Sequence, residues 1–83
     1  MDDKKIVFIT GAAKGIGAAV VKKFRDSDYT VVATDIRFRD FFFADGVYYY
    51  HMDVRNRENV RRVVEQVEGE IGSIDSLVNV DSS

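Results

Sequence analysis

The chain has 83 residues, 46% hydrophobic and 31% charged, with a net charge of -2, which is the composition of one globular domain. That charge balance gives no electrostatic case for nucleic acid or an anionic membrane surface as partner, and the lack of cysteine excludes disulfides, thiolate metal sites and a cysteine nucleophile. His51 alone cannot make a zinc site, and the charged start is followed by too short an apolar run for a signal peptide or a membrane span, so a soluble cytoplasmic chain without metal is expected.

Residues 5–10 form a nearly continuous apolar run around Ile6, Val7, Phe8 and Ile9, the pattern of a central strand covered on both faces in a parallel sheet. A turn with three glycines follows, Thr10-Gly11-Ala12-Ala13-Lys14-Gly15-Ile16-Gly17, and a helical pattern leaves it. Ile16, Ala19, Val20 and Phe24 are expected on the buried face of that helix, with Lys22, Lys23, Arg25 and Asp26 opposite, and its end near Ser27 and Asp28. Residues 29–35 are rich in β-formers. Two strands joined by one helix make a right-handed unit, so these strands are parallel.

Residues 36–46 are too few for a full crossover helix, and the spacing predicts a loop or one short turn. Its aromatic residues, Phe38 and Phe41 to Phe43, are expected over the sheet beside the first helix; a substrate pocket or partner surface is the alternative. Residues 47–53 give a third strand, whose Tyr48, Tyr49 and Tyr50 suit a half-exposed edge. Asn56 is a helix cap with Glu58 in the first turn, followed by Val60, Val63, Val64, Val67 and Ile71 at helical steps, with Gly69 or Gly72 as the stop. Residues 74–80 read as a fourth strand. The expected sheet is therefore four-stranded and parallel, in the order 3-2-1-4, with helices on both faces.

Glycines in a strand-to-helix turn let backbone approach a ligand, and the helix start offers unpaired N–H groups and a positive dipole end to an anion. A dinucleotide pyrophosphate fits. The spacing Gly-x-x-x-Gly-x-Gly, with Thr10 before it and Ile16 within it, resembles the first turn of the short-chain dehydrogenase/reductase family at every fixed position. A tight connection that binds nothing is the alternative for the glycines alone. The resemblance implies an α/β, truncated Rossmann-like fold over residues 1–83 as one partial dinucleotide-binding domain, with Gly11, Lys14, Gly15, Ile16 and Gly17 at the cofactor.

Ligands of open parallel sheets bind at the C-terminal ends of the strands. Asp35, followed by Ile36, closes the second strand about 20 residues after the glycine turn, where a carboxylate can accept from ribose hydroxyls and repel a 2′-phosphate. A solvated turn aspartate is the alternative. Lys14 and Arg37 argue for NADP, because a basic residue before the second glycine can accompany its use in the resembling family. Asp35 outweighs them, so NAD is expected over NADP. The resemblance further implies that Asp53 and Val54 bracket the adenine, the carboxylate accepting from its amino group; a helix-start aspartate is the alternative. Asn79 matches the first Asn of the family's Asn-Asn-Ala-Gly, but Val80, Asp81 and Ser82 replace the rest. Asp81 would carry negative charge towards an anionic cofactor, so the adenosine half should be held better than the nicotinamide half.

The resemblance spans about the first third of such an enzyme. The short second crossover and the surroundings of Lys14 and Asp35 look most like the dihydro-dihydroxybenzoate dehydrogenases of siderophore biosynthesis. Catalysis in the family uses Tyr-x-x-x-Lys, whereas Tyr29, Tyr48, Tyr49 and Tyr50 are followed four residues on by Ala33, Met52, Asp53 and Val54. No catalytic residue is assigned, and turnover by this chain alone is not expected. Two functions compete: the NAD-binding segment of an oxidoreductase, and a stand-alone or engineered scaffold or interaction protein, which the altered tail favours. A homodimer is expected across the fourth strand, where Leu77, Val78 and Val80 would form an exposed apolar edge, or across the neighbouring sheet face, with Val60, Val64 and Val67 contributing.

Overall fold

The computed structural model describes residues 4–80. Strand β1 (Ile6–Thr10) is buried along its whole length, as its continuous apolar run requires, and pairs in parallel with β2 (Thr30–Asp35) on one side. Helix α1 (Gly15–Asp26) links the two. Beyond β2, a short strand β3 (Phe42–Ala44) precedes β4 (Val47–His51), which pairs in parallel with β2. Helix α2 (Arg57–Glu70) then leads to β5 (Ser76–Asn79), which returns to the free side of β1.

The sheet has five strands in the order β3-β4-β2-β1-β5, and β3 runs antiparallel to β4. This corrects the expected four-stranded, all-parallel sheet, although the four parallel strands do stand in the expected order. The cause is local. Asp45 and Gly46 adopt φ of 53° and 79°, the left-handed pair of a two-residue hairpin turn. That turn folds Phe42 opposite Tyr49 and Phe43 opposite Tyr48, and the Phe42 and Tyr49 rings stack with centroids 4.3 Å apart. The third parallel strand is thus no edge: Tyr50 is buried, while Tyr48 and Tyr49 are half-covered by the added strand.

Two apolar layers flank the sheet. Ile6, Phe8, Val32, Tyr50 and Met52 face α2, where Val63 and Val67 close the layer; Val7, Ile9, Val31, Ala33 and Val47 face α1 with Val21. The helices therefore lie on opposite faces, as expected. Phe38 joins the α1 layer, but Phe41 and Phe43 pack on Tyr50 and Tyr48 of the other face, so the aromatic segment divides between both sides instead of lying beside the first helix.

The buried stripe of α1 also differs from the expectation. Gly17 and Val21 are buried, Val20 and Phe24 half-buried, and Ile16 and Ala19 exposed. The helix comes so close to the turn at Gly17 that a Cβ there would stand 1.9 Å from the Gly11 carbonyl oxygen, so contact centres on the smallest residue and not on the larger Ile16. Helix α2 starts as its sequence indicates, the Asn56 side chain accepting from the Asn59 N–H at 3.0 Å. It ends at Glu70, so Gly72 lies just past the stop and Gly69 inside it. No helix among the described residues is long and apolar enough to cross a membrane.

Candidate functional site

The C-terminal ends of β1, β2, β4 and β5 converge on one cleft of about 490 Å³. Of the glycine turn, Gly11 lines it. Gly11, with φ of 66°, touches the end of the β5 strand: a Cβ there would lie 2.5 Å from the Val80 carbonyl oxygen. Gly11 and Gly17 are thus required by internal packing. Gly15 is different, since it takes a φ of 54° with open space where a side chain would be. Helix α1 has no side-chain cap and no acidic residue in its first turn; the Gly17 N–H donates to the Lys14 carbonyl at 3.1 Å, and the Gly15 and Ile16 amides keep their capacity for an anion.

Asp35 ties the cleft wall together. One carboxylate oxygen accepts the Ala13 N–H of the glycine turn at 3.0 Å, and the other accepts the Arg37 N–H at 2.9 Å, with the Arg37 guanidinium 3.7 Å away. Its side chain is 5% exposed, so these contacts are made away from bulk water. The backbone carbonyl of Asp35 accepts from Met52 and Phe38, locking the ends of β2 and β4 side by side.

On the facing wall, Asp53 follows β4. Arg55 donates to both of its carboxylate oxygens, and the side-chain hydrogen bond from that guanidinium is the largest cause of an acid strength above the ordinary value, followed by the Arg55 backbone N–H. At the end of β5, the Asn79 side-chain oxygen accepts a short hydrogen bond from the Thr10 hydroxyl.

Of the residues expected at a cofactor, Gly11, Asp35, Ile36, Asp53, Val54 and Asn79 line this one cleft, together with Arg37, Met52, Arg55 and Val80. Lys14, Gly15, Ile16 and Gly17 do not line it. Lys14, Gly15 and Ile16 are exposed on the turn and the first turn of α1, and Gly17 is buried beneath Gly11. Arg55 had not been expected there. Its signal is the aspartate two residues before it at a strand end, where a side chain can fold back on a turn. Asp81, on which the expected bias towards the adenosine half rested, lies outside the described residues.

The family model described as short chain dehydrogenase matches residues 5–81. A 3-oxoacyl-(acyl-carrier-protein) reductase of Thermotoga maritima is 39% identical over 83 residues, covering 90% of this chain and 34% of that protein. An acetoacetyl-CoA reductase of Paracoccus denitrificans is 35% identical over 79 residues, covering 90% of this chain and 33% of the relative. Among solved structures, ElxO with NADP bound superposes with a TM-score of 0.82 at 33% identity, over 93% of this chain and 34% of that one. The chain spans about a third of the length of the curated relatives it matches. With the strand order, the glycine turn and the strand-end cleft in place, the chain belongs to the short-chain dehydrogenase/reductase family.

Proposed function

We propose that this chain is the dinucleotide-binding segment of an oxidoreductase, that it holds the adenosine half of NAD in the cleft between Asp35 and Asp53, and that it has no turnover by itself. The observation that carries the reading is the convergence of two carboxylates from two different strand ends on one cleft that Gly11 of the glycine turn also lines. The pyrophosphate would lie against the exposed Gly15 and the N-terminal amides of α1, where backbone donors and dipole favour negative charge.

NAD is preferred over NADP in this reading. A 2′-phosphate placed at the ribose would meet the Asp35 carboxylate, already packed against Ala13 and Arg37 with little room to withdraw. Arg37 offsets part of that repulsion, and ElxO shows that a relative can hold NADP. Since the Arg37 charge is already engaged by Asp35, the net balance favours the diol. Calorimetric titration with NAD, NADP and ADP-ribose tests the reading. Binding of NAD and ADP-ribose, weaker for NADP, is the expected order; no heat with any of the three would leave the scaffold reading in its place.

Self-association is part of the same proposal. Strand β5 pairs with β1 alone among the described strands, and its Leu77 is 67% exposed beside an apolar groove of about 430 Å³ lined by Val60, Val64, Ile74 and Met52. Val67 is fully buried inside its own layer and cannot contribute. A symmetric dimer across β5 or this groove would cover both. The absence of cysteine suits the reducing cytoplasm in which we place it.

A further inference from the structure

Arg55 leaves the turn between β4 and α2 and folds back on Asp53. Its backbone N–H donates to Oδ1 at 3.0 Å, its Nε to the same oxygen at 3.1 Å, and its Nη2 to Oδ2 at 3.3 Å. The peptide group of Asp53 is pinned as well, its N–H donating to the Asn59 Oδ1 at 2.7 Å and its carbonyl accepting from the Asn56 N–H at 3.0 Å. Exposed ion pairs are usually loose, because two long side chains lose rotamer freedom for little Coulomb gain. In this one the Asp53 end is fixed, while the Arg55 side chain is 80% exposed and meets Asp53 through its guanidinium. The turn holds the backbone, a two-point guanidinium contact holds the carboxylate, and both residues line the cleft.

A carboxylate offers about four acceptor positions, and Arg55 occupies three. What remains belongs to Oδ2 and can serve a hydrogen-bond donor entering the cleft. At neutral pH the carboxylate is charged with or without its partner, so the arginine contributes orientation more than charge.

Resting on the nucleotide reading above, we propose that Arg55 is a positioning residue for base selection: it holds the Asp53 carboxylate in one rotamer, so that the cleft favours a purine with an amino group at carbon 6 over one with a carbonyl there. An amino group supplies the donor that the remaining position of Oδ2 lacks. A carbonyl brings a second acceptor against it, leaving the remaining position of Oδ2 unfilled, and selectivity of this kind is lost when the acceptor is free to turn away.

The test compares ADP-ribose with its hypoxanthine counterpart by calorimetry in the unmodified chain, Arg55→Ala and Arg55→Lys. The unmodified chain should prefer the adenine ligand by about tenfold or more, the size expected of one charge-assisted hydrogen bond. Arg55→Ala should keep measurable ADP-ribose binding while the preference falls to about twofold, and Arg55→Lys should restore part of it. A general loosening of the fold would weaken both ligands and leave their ratio unchanged, so the ratio isolates the effect. An equal ratio in the unmodified chain and Arg55→Ala, or no adenine preference at all, overturns the proposal while the nucleotide reading stands. Failure of the unmodified chain to bind ADP-ribose overturns that reading instead.

Discussion

The Asp35 carboxylate accepts one N–H from the glycine turn and one from the loop after β2, and both donors sit in a part-buried setting. Asp35→Ala should therefore do two things: leave those donors unpaired, at about 1–3 kcal/mol of stability, and relax the choice between NAD and NADP. Asp35→Asn separates the effects. It keeps an acceptor and loses the charge, so it should melt nearer the unmodified chain yet show the relaxed preference in titration; an unchanged preference would remove the charge argument. Tyr50 offers the opposite case. Burial is the first cause that pushes its hydroxyl above the ordinary value and the nearby Glu70 carboxylate adds to it, while among the described residues no group meets the hydroxyl oxygen in hydrogen-bonding geometry. The folded form thus favours the neutral phenol, a contribution present below the unfolded value near 10 and lost as pH rises through the raised one. Tyr50→Phe should be neutral or stabilising by about 1 kcal/mol at pH 7 and should flatten the alkaline fall in a series of thermal melts. At this scale the sequence showed that Asp35, Asp53 and Asn79 stand at strand ends, which line one cleft, because strand ends are set by period and by glycine position. It did not reveal Arg55, whose role depends on a side chain folding back on a turn, nor that Gly11 and Gly17 serve packing while Gly15 stays open.

Helix α1 meets the sheet through Gly17, and even one added methyl group there would overlap the Gly11 carbonyl. Gly17→Ala should displace α1 from the turn and lower stability by several times the about 1 kcal/mol that Asn56→Ala should cost by removing the cap of α2. Circular dichroism melts of the two variants give the comparison, and equal losses would mean that the turn relaxes around the methyl group. The α1 stripe shows why helical spacing alone misled: Ile16 and Ala19 fit an apolar period, but the close approach at Gly17 rotates them to the surface. Periodicity served α2 well, since nothing there competes with the valine spacing. Strand β3 was legible in principle through Asp45-Gly46, a dipeptide suited to left-handed turn positions. Three residues are too few to show a strand period, and so the segment read as a loop.

Across the whole molecule, the two ends of the sheet are treated differently. One end carries the short aromatic hairpin strand β3, while the other is β5, with Leu77 exposed and pairing to β1 alone among the described strands. If β5 and its groove carry a dimer, Leu77→Lys should yield a monomer in sedimentation across a concentration series while leaving the melting temperature of the monomer little changed, because Leu77 is already in water. An unmodified chain that stays monomeric at high micromolar concentration would end the dimer proposal without touching the cleft. The cleft itself is tested most directly by mapping amide shifts in a ¹⁵N-labelled sample titrated with ADP-ribose. Saturable shifts at Gly11, Gly15, Asp35, Asp53, Val54 and Asn79, with the β3 hairpin amides unmoved, are the predicted result; shifts confined to the hairpin or to the α2 groove, or none at millimolar ligand, would contradict the account.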